Sequence, residues 1–235
     1  MERRCRQQLC ALLLRHGRCY DKSNWTGLHR KWLQSQRFDS TETQVVFDHY
    51  FQSILEAEER IGRLERQMED ALPTWSLRGL VRGLMAMRGI QLVTAMTHAA
   101  ELGDLTRFGR AEELMAFVGV VPSEHSSGQT RRQGGITKSG NRHVRRVLIE
   151  SSWSYRHKPG VNAALRARSG QASAAVQAIA WKAQKRLYTR YHRLITRGKS
   201  AQTAITAVAR EQLGFIWAIG QKVMEEQRTP APAGA

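Results

Sequence analysis

Cysteine is scarce in this chain. There are three, Cys5, Cys10 and Cys19, all within the first twenty residues. An odd count with no Cys-x-x-Cys spacing fits neither a disulfide framework nor a zinc site, so reduced thiols in a cytoplasmic protein are expected. Long apolar runs are missing too. No stretch approaches the roughly 18 uncharged apolar residues of a spanning helix. Leu9–Leu14 is a short apolar run that stops at Arg15 and His16 with no small-residue cleavage site, which excludes a secretory leader. The sequence also lacks convincing strand patterns and repeated units, and it reads as all-α. The eight histidines never fall at metal-ligand spacing, and no Walker or dinucleotide glycine pattern occurs. No cofactor is expected on these residues.

Acid is what the C-terminal half has least of. Overall, 37 Lys and Arg face 20 Asp and Glu, for a formal net charge of +17. Residues 1–40 hold nine basic and three acidic side chains, and residues 41–75 reverse the sign with three and eight. Between Gly128 and Lys199 there are seventeen basic residues and a single acid, Glu150. A solvated face mixes charges of both signs, so a segment this one-sided favours phosphate binding. A basic membrane-surface helix would need a wide apolar face and little other burial, which leaves nucleic acid as the leading partner.

The 41% of hydrophobic residues is enough for a core. Residues 2–17 read as a helix, Asp21–Asn24 as turn and cap, and the next helix carries Trp25, Leu28, Trp32 and Leu33 near one face. Both tryptophans are expected to be packing anchors rather than base-stacking platforms. Asp39 with Glu42 resembles a capping box. Phe47, Tyr50, Ile54, Ala57, Ile61, Leu64, Met68 and Ala71 then recur at strict 3-4 spacing, one apolar seam along a helix of about 48 Å at 1.5 Å per residue. Pro73 ends it. The seam fits a coiled coil, within the chain or between subunits, equally with an antiparallel hairpin against the preceding helices. This divides the chain into an oligomerisation region (1–75), a helical domain (76–227) and a disordered tail (228–235).

Residues 76–87 and 93–102 read as two short helices joined at Arg88-Gly89-Ile90. That is a helix-hairpin-helix-like element whose turn offers backbone N–H groups to a phosphate. A short helix at 112–118 leads into a Gly/Arg-rich loop of about twenty residues from Gly119 to Gly140, a length that is usually functional. Asn141 caps a helix to 155 with Arg142, His143, Arg145 and Arg146 in its first turns, where cations oppose the helix dipole unless an anion sits nearby. A long helix at 171–197 sets Ala174, Ala175, Ile179, Ala180, Ala183 and Leu187 on one side. Lys182, Lys185, Arg186, Arg190, Arg193 and Arg197 occupy the other, with Tyr188 and Tyr191 between them. An apolar helix at 201–219 completes the core.

The loop holds the candidate chemistry. Ser127 precedes Gly128, with His125 two residues back. A serine hydroxyl can attack a phosphodiester if a neighbour takes its proton and cations stabilise the developing charge. Arg131, Arg132, Lys138, Arg142 and Arg145 could serve the second need. A Ser-Ser-Gly turn by itself is unspecific.

Resemblance adds weight. The stretch Phe117-Val-Gly-Val-Val-Pro-Ser-Glu-His-Ser-Ser-Gly-Gln-Thr-Arg-Arg-Gln-Gly-Gly-Ile-Thr-Lys-Ser-Gly-Asn-Arg-His-Val-Arg-Arg resembles the C-terminal signature of bacterial insertion-sequence transposases of the IS-one-ten group, the bridge-RNA-guided recombinases. Met87-Arg-Gly-Ile, Ala100-Glu-Leu-Gly-Asp-Leu and Arg15-His-Gly with Lys22-Ser-Asn-Trp-Thr are similar to the same family, so the likeness covers nearly the whole chain. It implies DNA transposition or site-specific recombination by a transposase, with Ser127 as nucleophile and Ser126 as the next candidate. It implies a covalent phosphoserine link to DNA and a structured guide RNA. It also implies subunits assembled through the coiled coil (Phe47, Tyr50, Ile54, Ile61, Leu64, Met68). Arg131, Arg132, Lys138, Asn141, Arg142, Arg145, Arg146, Lys182, Lys185 and Arg186 are the expected nucleic-acid contacts.

The family begins with a RuvC-like domain carrying four acidic residues and Mg²⁺, and none of these has a counterpart here. The expectation is a truncated or decayed reading frame, inactive by itself, acting in the cytoplasm and on the nucleoid when bound. The alternative is an inactive nucleic-acid-binding dimer that regulates a full-length transposase.

Overall fold

The computed structural model describes residues 2–124 and 133–228. The chain divides into two compact units, with the boundary between Asp70 and Ala71. Helices dominate both units, as expected of an all-α chain.

The first unit is built from α1 (Glu2–Arg15), α2 (Gly27–Gln34) and α3 (Thr41–Ala71). Leu9, Leu12 and Leu13 of α1, Leu33 of α2, and Phe47 and Ile54 of α3 form its core. Full burial of such a side chain contributes about 1.5–3 kcal/mol. The same helices meet at a charge cluster. Glu58 on α3 accepts from the guanidinium groups of Arg6 on α1, at 2.7 Å, and of Arg30 on α2. The Arg30 hydrogen bond, opposed by desolvation and aided by Arg6, holds the Glu58 carboxyl below its usual range. Trp25 and Trp32 pack against this core. The Arg6 guanidinium lies 4.6 Å from the Trp25 ring centroid.

Two caps differ from expectation. Thr26, not Asp21–Asn24, caps α2 by accepting from the His29 N–H. Trp25 can precede it at a φ of +64° because its own N–H donates to His29 Nδ1 at 2.9 Å. At α3 the cap is Ser40 rather than Asp39. Its Oγ accepts from Thr43 N at 3.1 Å and donates to Glu42 at 2.7 Å.

The α3 seam splits into two halves. Phe47 and Ile54 are buried and Tyr50 is half-buried, so this half closes on α1 and α2 as the hairpin reading requires. Ile61 and Leu64 are 42% and 50% exposed. Met68 is half-buried.

The second unit surrounds one helix. It contains α4 (Arg78–Met85), α5 (Leu92–Leu102), α6 (Ala111–Val118), α7 (Arg142–Ser152), α8 (Ala163–Ser169), α9 (Ala174–Thr196) and α10 (Ala201–Arg228). The hairpin strands β1 (Pro122–Glu124) and β2 (Gln133–Ile136) pair antiparallel, with Pro122 opposite Ile136. The expectation of no strand is therefore corrected. These strands are too short for a period-two pattern, and their glycines hide what there is.

The central helix α10 is packed by α4, α6, α7 and α9. Ile205, Val208, Leu213, Ile216 and Ile219 are buried along it. It runs on to Arg228 instead of stopping at residue 219. Gly220 within it makes room for Leu105: a Cβ there would lie 2.8 Å from the Leu105 Cβ. Gln212 is one of the polar residues buried in this core. It is satisfied by Ser152 Oγ at 2.5 Å and Ser151 Oγ at 3.0 Å. On α9 the buried stripe is Val176, Ala180, Ala183, Gln184 and Leu187. Ala174 and Ala175 are exposed, a small correction to the apolar side expected of that helix. His98 on α5 is fully buried, with neither ring nitrogen hydrogen-bonded among the described residues, and burial pushes its pKa down to about 4.

Candidate nucleic-acid interface

Between α6 and α7 the chain makes a tight crossing. Gly119 ends α6 in the left-handed region, at φ +74°. A Cβ on it would collide with the Ser139 backbone, and one on Gly140 (φ +99°) would collide with the carbonyl of Phe117. Only glycine tolerates both the dihedral and the approach. Lys138 N donates to Gly119 O at 3.1 Å and Thr137 N to Val121 O at 2.9 Å, which fastens the base of the hairpin. Lys138 itself takes a φ of +57°. Gly119 and Gly140 thus have a structural reason that is independent of any ligand.

Ser127 and Ser126, with His125, Gly128, Arg131 and Arg132, lie outside the described residues. Their neighbours on either side are the two strands, so the hairpin holds the ends of the segment that carries the candidate nucleophile.

Asn141 is a cap as expected. Its Oδ1 accepts from Val144 N at 3.0 Å, and its Nδ2 donates to Glu101 at 2.6 Å. Glu101 also faces His143 at 3.8 Å. This acid on α5 anchors the start of α7, and sequence reasoning missed it because no local pattern links residue 101 to residue 141. Arg145 is half-buried and donates to the Val118 carbonyl at 2.8 Å, so its guanidinium ties α7 to the end of α6. Arg146 is exposed and pairs with Glu150 at 3.1 Å, one turn along. Lys138 and Arg142 are exposed, and neither forms an ion pair among the described residues. Hence, among the described cations around α7, Lys138 and Arg142 are the freest to meet a phosphate. Arg145 is committed to the fold.

The α9 cations form a separate group on a different helix. Lys182 and Lys185 are exposed, and Lys185 Nζ lies 5.8 Å from the Trp181 ring centroid. Arg186 reaches Glu211 of α10 at 3.1 Å, and Arg190 reaches the same carboxylate at 3.3 Å. The stripe expected to be wholly cationic is thus partly neutralised from a neighbouring helix.

The Arg88-Gly89-Ile90 turn does join α4 to α5, with Gly89 at φ +81°. Its near side is filled by protein. A Cβ on Gly89 would lie 2.5 Å from Ser151 O, and Arg88 donates to the Lys158 carbonyl at 2.6 Å. Among the described residues, no three His, Cys, Asp or Glu side chains converge to hold a metal. That arrangement does not fit a Mg²⁺ ion. No described helix is long and apolar enough to cross a membrane.

Comparison with known proteins agrees with the resemblance in the loop. Residues 81–167 match the model of the transposase IS116/IS110/IS902 family. That segment runs from α4 through the hairpin and α7 to α8. The chain is 40% identical over 221 residues to a Sinorhizobium fredii protein bearing the name transposase y4qE, covering 94% of this chain and 53% of that one. It is 27% identical over 173 residues to the transposase for insertion sequence element IS1533 of Leptospira borgpetersenii, covering 72% and 49%. The transposase for element IS1111A of Coxiella burnetii is 30% identical over 107 residues, covering 46% and 29%. The chain spans about half the length of the longest-matching of these relatives.

Proposed function

From a family match over residues 81–167 to the transposase IS116/IS110/IS902 family, we propose that this chain acts in DNA transposition as the serine-bearing part of an insertion-sequence transposase. The observation that carries the proposal is the coincidence of that match with the Pro122–Arg146 segment, whose sequence holds Ser127 between the two paired strands, with Lys138 and Arg142 following. Ser127 is the proposed nucleophile. Its Oγ attacks a DNA phosphorus, so that a P–Oγ bond forms and a P–O bond to a deoxyribose oxygen breaks. A base accepts the Oγ proton, and the departing oxygen gains one. Arg131, Arg132, Lys138 and Arg142 lower the cost of charge on the phosphoryl oxygens. Lys182, Lys185 and Arg146 contribute to holding DNA and a structured guide RNA. The outer half of the α3 seam, Ile61, Leu64 and Met68, joins subunits.

The test is adduct formation. The transposase read from the complete element, incubated with labelled end DNA, should yield a protein–DNA adduct resistant to denaturation. Ser127→Ala should abolish the adduct and Ser126→Ala should retain it, with nucleic-acid binding preserved in both. An undiminished adduct with Ser127→Ala removes that residue from the mechanism. Contact with about six to ten phosphates should also lower affinity about a thousandfold or more between 50 and 200 mM salt.

A further inference from the structure

A cavity of about 420 Å³ opens between the hairpin and the first turns of α10. Thr203, Thr206 and Arg210 line it from one face of α10, Lys138 lines it from beyond β2, and Ile136 and Ala207 contribute apolar surface. A volume in this range suits a small organic ligand.

Two observations say what kind of ligand. The first is the glycine pair in β2. Glycine weakens a strand and marks a bulge or the close approach of another group. Gly134 is explained by the protein, because a Cβ there would lie 2.5 Å from Ser123 Oγ. Gly135 is not: a Cβ on it meets no atom of the described residues within 4 Å. The register shift between β1 and β2 falls at this pair, yet neither glycine has a positive φ, so the bulge does not require one. Among the described residues, the bare backbone at Gly135 therefore borders open space. The second observation is charge. Arg210 is half-buried and makes no ion pair among the described residues, whereas the next residue, Glu211, is engaged by Arg186 and Arg190. Lys138 is likewise unpaired among the described residues. Two cations, two hydroxyls and an apolar wall beside a bare peptide suit an anion joined to a flat apolar body.

We propose that this cavity seats one unpaired nucleotide of the bound strand, its phosphate on Arg210 and Lys138 and its base along Gly135, Ile136 and Ala207. The assignment rests on the nucleic-acid reading above and adds a subsite to it. It places a nucleotide next to the hairpin that carries the serine segment, which would fix the strand's register before cleavage.

The test uses the chain itself with a labelled twelve-nucleotide single-stranded DNA. Gly135→Leu adds a side chain where no atom of the described residues obstructs it, so folding should survive, as circular dichroism will verify. Its affinity should fall about tenfold or more, the scale of one lost base contact. Arg210→Gln should lower the slope of log affinity against log salt by about one. In methyl-labelled wild type, the same strand should shift the Ile136 and Ala207 signals. Wild-type affinity in a folded Gly135→Leu, an unchanged salt slope in Arg210→Gln, or unmoved methyl signals overturns the assignment. If the wild-type chain binds no strand at all, the nucleic-acid reading itself has failed.

Discussion

The two units of this chain close their cores by different means. The first has six buried apolar residues among those described, and its three helices also meet at a carboxylate shared by two guanidinium groups. The second encloses one helix in a continuous apolar core, with Gln212 buried and hydrogen-bonded inside it, and its shared carboxylate, Glu211 with Arg186 and Arg190, ties only α9 to α10. The difference follows from size. A unit of some seventy residues has too little interior to rely on burial alone, so polar contacts at its edge carry more of the specificity. A larger unit can surround a helix completely.

That contrast can be broken from the second unit first. Gly220→Val forces a branched side chain into Leu105, and Ile216→Ala opens a cavity in the same layer. Each should cost about 3–4 kcal/mol, read as loss of hydrogen-exchange protection in α10 and its neighbours. The first unit should keep its protection. Equal loss in both units would mean that the two cores unfold as one.

His98 gives the second unit an acid weakness. Burial lowers its pKa from 6.5 to about 4. Between those values the unfolded chain binds a proton that the folded chain refuses. Stability from this site is therefore intact above pH 6.5 and falls as pH drops toward 4, by up to about 3 kcal/mol. His98→Leu should flatten that acid limb in a denaturation series. An unchanged limb would place the acid sensitivity elsewhere.

In the first unit, Glu58→Gln removes the charge that Arg6 and Arg30 share. Both arginines are partly exposed, so water compensates some of the loss, and about 1–2 kcal/mol is expected. The defect should appear as faster exchange in α1 and α2. High salt should weaken the wild type toward the variant.

The smallest effect sharpens the comparison inside α3. Ile54→Ala should cost about 2–4 kcal/mol, whereas Leu64→Ala should change stability by no more than about 0.5 kcal/mol at low protein concentration. A Leu64→Ala penalty that grows with protein concentration would show that a second copy covers the outer seam.

Most helices were legible because periodicity is a local property. The 3-4 seam of α3, the Pro73 stop and the Asn141 cap lie within a few residues of what they control. The errors were local as well. Ser40 caps α3 in place of Asp39 because one residue's difference in where the chain turns decides which oxygen reaches Thr43. The hairpin was missed because its strands are three and four residues long. At the candidate interface the cations were readable as a class, but their division was not. Arg145 holds a carbonyl and Arg186 holds a carboxylate through partners 27 and 25 residues away.

The sequence by itself determined the helical class, the basic face and the serine loop with its family likeness, since composition, spacing and motif need no partner across the fold. Only the tertiary structure decided which half of the α3 seam is buried, which cations remain free, and that Gly135 and Arg210 border the same cavity. Those are questions of which residues far apart in the chain come within a few ångströms, and one-dimensional order holds no distances.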